Sequence, residues 1–114
     1  MDERNLLDWL APLTETERVR ALALLHAAVT VGTRQFFLPG TASGRERQVL
    51  EYLHGVNELH HTIANQLVAY SFARERLTIQ AFATHLSEIA NQYGIGPLLD
   101  QAVGFARTRD LSGG

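Results

Sequence analysis

The stretch SGRERQVLEYLHGVNELHHTIANQLVAYSFA, residues 43–73, holds no proline and consists mostly of good helix formers. At ~1.5 Å rise per residue it predicts a helix of roughly 45 Å, around which the rest of the chain packs. Val49, Leu53, Val56, Ile63, Leu67 and Tyr70 recur at steps of three and four once His60 is included in the row. That rhythm reads as a buried seam with one polar member. On the opposite side Glu51, His54, Glu58, His61 and Asn65 follow the same rhythm as a continuous polar stripe. Gly55 lies inside the helix, where glycine costs about 1 kcal/mol relative to alanine, so it signals a close neighbour or a kink.

Ser43 and Glu46 have the spacing of a capping box and open this helix. Before it, FFLPGTASG (36–44) breaks at Pro39 and Gly40 and reads as a loop. Further upstream, Thr14 with Glu17 forms another capping-box pair, and the helix it starts runs to about Phe37. Its middle, ALALLHAAVTVG (21–32), is apolar on nearly every side. A helix of that kind is the centre of a bundle or is shared with a partner subunit, and in a small chain this points towards a homodimer. The N-terminal residues 2–11 predict a short helix with Leu6, Leu7 and Leu10 on one side, stopped by Pro12.

Downstream, Thr78 is a good N-cap for a helix whose row Ile79, Phe82, Ala83, Leu86, Ile89, Ala90 and Tyr93 forms a single apolar stripe. Gly94 suits its C-terminal cap, and Pro97 opens a last helix to about Arg107. Residues 110–114 read as a flexible tail. No stretch alternates with period two and no repeat is visible. The expected fold is all-α: a single domain over 1–114, four main helices plus a short N-terminal one, arranged antiparallel.

Composition narrows the chemistry. The 114 residues contain no cysteine, which excludes disulfides and thiolate metal sites and agrees with a cytoplasmic protein. A formal net charge of −2 offers no general attraction to a nucleic-acid backbone, so nucleic acid is not expected as a partner. The apolar, uncharged run from Ala21 to Thr33 is too short to cross a bilayer, so no membrane partner is expected. All ten basic residues are arginine, which removes Schiff-base lysine chemistry and the lysine of a phosphate loop. Eight of them form Arg-x-Arg pairs (Arg18 with Arg20, Arg45 with Arg47, Arg74 with Arg76, Arg107 with Arg109), read as solvated helix ends.

Five histidines remain as candidates for chemistry. His54, Glu58 and His61 lie at offsets of four and three, on one helix face, and Glu58 with His61 makes one Glu-x-x-His unit of the kind used in di-iron bundles. Such a site needs two units and further glutamates, so no metal and no cofactor is assigned. His60 and His26 read as buried polar members of the core, facing each other if their helices are neighbours. No serine stands in a Gly-x-Ser-x-Gly elbow, and no catalytic residue is assigned.

The segment ELHHTIANQL, residues 58–67, resembles the phosphoacceptor helix of one subgroup of bacterial sensor histidine kinases. That resemblance implies a phosphorylated residue at His61 and an equivalent asparagine at Asn65. The two basic positions of the family's pattern are Thr62 and Ala64 here, and the likeness covers ten residues. The expected function is a non-enzymatic protein-interaction or regulatory domain that pairs with itself. The alternatives are a phosphotransfer module or mimic using His61, or a helical bundle that binds a metal or a small ligand. For the last, Phe36, Phe37, Tyr52, Tyr70, Phe72, Phe82 and Tyr93 supply aromatic surface.

Overall fold

A computed structural model describes residues 3–36, 46–72, 75 and 77–109, with side chains at 32–36, 46–49 and 51 excepted. The loop and capping pair expected between 38 and 46 and the tail at 110–114 therefore lie outside the described residues. Within them the chain is all-helical, with no strand: α1 (Glu3–Leu10), α2 (Glu15–Phe36), α3 (Glu46–Ser71), α4 (Ile79–Gln92) and α5 (Gly96–Arg107).

The helix ends follow local chemistry. At the start of α2 the Thr14 amide donates to Glu17 Oε1 at 2.9 Å and the Glu17 amide donates to Thr14 Oγ1 at 3.2 Å, a reciprocal capping box. The Thr14 backbone N–H first, and then the Thr14 hydroxyl, hold the Glu17 carboxyl below its ordinary value. Thr78 caps α4 by accepting from the Ala81 amide at 3.1 Å. Gly94, at φ 67°, makes the left-handed turn between α4 and α5, and Pro97 sits in the first turn of α5.

Packing centres on α2, which lies against both α3 and α5, while α1 packs on α4, and α4 contacts α3 and α5. This explains the broad apolarity of α2 within one chain: Ala21, Leu22, Leu25, Ala28 and Val29 are buried, and only Ala23, Ala27 and Val31 face outward along its middle. The α2 sequence is thus accounted for mainly by two intrachain neighbours. α1 contributes Leu6, Trp9 and Leu10 to the same core as Phe82, Leu86, Leu98 and Leu99. Burial of each such large side chain stabilises by about 1.5–3 kcal/mol.

Three of the paired arginines do more than solvate helix ends. Arg18 donates from Nε to the Leu10 carbonyl at 3.0 Å and from Nη2 to the Ala11 carbonyl at 2.7 Å, so it closes the C-terminus of α1. Arg107 donates to Asn5 Oδ1 at 2.7 Å, and the Arg109 guanidinium lies 4.4 Å from the centre of the Phe105 ring. The Arg107–Asn5 bond and the Thr84 hydroxyl, which donates to Glu3 at 2.6 Å, fasten α1 to α5 and α4.

The seam on α3 differs in phase from the expected row. Val56 and Ile63 are buried, but Leu53 is exposed, and the buried positions between and beyond them are Leu59 and Gln66. The true row is Tyr52, Val56, Leu59, Ile63, Gln66 and Tyr70, rotated so that His60 stands at its edge. Burial pushes the Tyr52 hydroxyl up to about 12. Gly55 meets a close neighbour: a β-carbon there would stand 2.6 Å from Tyr93 Cβ and 2.8 Å from Tyr93 Cγ. Glycine lets the end of α4 approach the α3 backbone.

Candidate functional site

The outward side of α3 carries the polar stripe. His54, Glu58, His61 and Asn65 are all exposed, and Glu51 lies among the residues whose side chains are not described. Glu58 has an intramolecular role, because its Oε1 accepts a hydrogen bond from the Tyr93 hydroxyl at 3.0 Å. That bond, with smaller effects of desolvation and of the carboxylate charge, raises the Tyr93 hydroxyl above its ordinary value. Tyr93 therefore locks α4 to α3 at both ends of its side chain, by ring contact at Gly55 and by hydroxyl contact at Glu58. Among the described residues no three histidine, aspartate or glutamate side chains gather as a metal-binding group, so His54, Glu58 and His61 share a face without converging.

His26 and His60 do meet. Their ring centroids are 4.6 Å apart with planes tilted by 44°. Expected from the sequence as buried polar members of the core, both are instead half-buried at the edge of the α2–α3 contact, because Leu59 takes the central position. The Thr30 hydroxyl lies 3.1 Å from the His26 carbonyl and 3.0 Å from His60 Nε2. A hydroxyl has one proton, and a carbonyl can only accept, so both bonds form together when Thr30 donates to His26 and accepts from a protonated Nε2. The tautomer of neutral His60 then leaves Nδ1 as its basic nitrogen. Burial, and next the charge of His26, hold the His60 imidazole below its ordinary value; the His26 backbone opposes this and His61 adds a smaller lowering.

Gln66 is the polar residue missed in the sequence reading. It is buried, and its amide forms a two-point clamp on the segment before α4: Nε2 donates to the Leu77 carbonyl at 2.8 Å, and Oε1 accepts from the Leu77 amide at 3.2 Å. Beside it lies an open groove of about 420 Å³ lined by Thr62, Asn65, Glu75 and His85 as well as Gln66. None of the described aromatic residues expected to line a ligand cavity borders this groove. Tyr70 instead borders a second groove of about 360 Å³ with Glu15, Val19 and Arg20, and Tyr52 and Tyr93 pack against the core. Phe36 and Phe37 lie outside the described side chains. Ser87 Oγ, in α4, is buried with no hydrogen-bond partner among the described residues.

No family model, curated protein or solved structure matches the chain. The functional reading therefore rests on the molecule's own surface. No helix among the described residues is long and apolar enough to cross a membrane.

Proposed function

We propose that the protein is a non-enzymatic interaction domain of the cytoplasm that pairs with a second copy of itself, its helices forming an antiparallel bundle and the outward face of α3 forming the interface. The observation that carries this reading is the exposure of large apolar side chains on one helix. Leu50 is 63% exposed, Leu53 42%, Val68 39% and Phe72 70%. Scattered apolar residues are ordinary on a protein surface, but Leu50 and Val68, on one side of α3, and Phe72, just past its end, together mark a contact region. The nine residues between α2 and α3 and the tight turn at Gly94 support antiparallel neighbours, because short connections reverse chain direction.

Light scattering after gel filtration at micromolar concentration tests the reading. A dimer that dissociates on dilution is the expected outcome, and a monomer at every concentration would remove the proposal. The phosphotransfer alternative requires an uncovered His61, so a dimer that covers α3 also argues against it.

A further inference from the structure

Two of the five histidines meet across a helix–helix contact. The rings of His26 on α2 and His60 on α3 have centroids 4.6 Å apart and planes inclined at 44°, whereas His54, His61 and His85 are exposed. Thr30 settles the tautomer of His60: with its one proton donated to the His26 carbonyl at 3.1 Å, it accepts from His60 Nε2 at 3.0 Å. The Nδ1 lone pair is left free of that bond, on a ring only half-buried. A hydrogen bond donated by the second ring nitrogen is the usual way in which a metal-bound histidine is oriented.

The ring separation bears on the kind of ion such a pair would take. Metal–nitrogen bonds are about 2.0–2.1 Å, and a ring centre lies about 1.1–1.2 Å beyond its nitrogen. Two imidazoles on adjacent corners of a square-planar or octahedral ion therefore have centres about 4.5 Å apart, and on a tetrahedral ion about 5.2 Å. The observed 4.6 Å matches the former. Planes inclined to each other converge on one side, as a shared ion requires, where parallel stacking would not.

We infer that His26 and His60 hold one divalent copper or nickel ion between α2 and α3, with His60 ligating through Nδ1 and Thr30 acting as a positioning residue. Copper and nickel are the divalent ions that favour tetragonal sites of nitrogen and oxygen. Two imidazoles leave the other corners of the ion to water, so the ion is exchangeable and clips together two helices that already pack against each other. The competing set, His54, Glu58 and His61, shares one face of α3, but its histidines stand roughly 10 Å apart along the axis, and Glu58 accepts from Tyr93.

Nickel chloride added to the untagged full chain at about pH 7.5, where imidazole is neutral, tests this. Calorimetric titration should show one ion per chain, and His26→Gln and His60→Gln should each weaken binding roughly tenfold or more. Thr30→Val should weaken it about tenfold, because the ring loses the bond that orients it. In the parent chain the NMR signals of the His26 and His60 rings should broaden before those of His54, His61 and His85, a readout that needs no variant to fold. Saturating nickel should also raise the urea midpoint of the parent chain, since a bridging ion binds the folded state alone, and should leave that of His60→Gln where it was. Unchanged affinity in either glutamine variant, or broadening of all five histidines together, means an adventitious ion only and overturns the proposal. Absence of binding up to about 1 mM nickel overturns it equally.

Discussion

Thr30 has a single hydroxyl proton, and the disposition of that proton decides which nitrogen of His60 can be charged. With that proton donated to the His26 carbonyl, Nε2 of His60 is a donor to Thr30 and any added proton goes to Nδ1, on a ring whose centroid lies 4.6 Å from that of His26. The fold therefore disfavours the imidazolium form, and the His60 pKa lies below its ordinary value, first through burial and then through the His26 charge. In the unfolded chain that penalty is absent and the imidazole titrates near about 6.5. Between the depressed value and about 6.5 the unfolded state binds more protons, so stability is full above that window and is lost as pH falls through it. Urea unfolding should show a lower midpoint at about pH 5.5 than at about pH 7.5, and His60→Gln should flatten the difference. An equal loss in the variant would assign the slope to other groups.

At the scale of the helix, the approach of α4 to α3 depends on one missing methyl group. In Gly55→Ala the new β-carbon would lie 2.6 Å from Tyr93 Cβ, and that atom is near the backbone, so α4 itself must move. Overpacking of this kind costs about 1–3 kcal/mol, against a gain of about 1 kcal/mol in helix propensity. Gly104, in α5, has no atom within 4 Å of its would-be β-carbon and provides the control. Gly55→Ala should lower the unfolding free energy by up to about 2 kcal/mol, and Gly104→Ala should raise it by about 0.5–1 kcal/mol, both read from urea titration. If both variants gain stability, the close contact at Tyr93 is not as described. The meaning of Gly55 was legible in the sequence because a glycine within a long helix is locally costly. The caps at Thr14 and Thr78 and the turn at Gly94 were legible for the same reason: their partners lie within a few residues. The phase of α3 was not. Rows through His60 and through Leu59 both satisfy helical spacing, and the choice depends on α2 and α4, which are distant in sequence. Gln66 breaks the apolar pattern of the correct row, and its partner, the backbone of Leu77, has no side-chain signature.

For the molecule as a whole, intrachain packing of α2 against α3 and α5 relocates the argument for self-association from α2 to α3. The all-helical fold and its element order were legible in the sequence, since each helix carries its own periodicity. The face left uncovered was not, because exposure is a property of the assembled helices. That face also allows a test of assembly by charge. Leu50→Lys and Phe72→Glu each set a charge on the exposed apolar surface of α3, and each should weaken the dimer about tenfold or more. Dissociation constants from sedimentation equilibrium would measure it. If both variants dimerise as tightly as the parent chain, the outward face of α3 is not the interface.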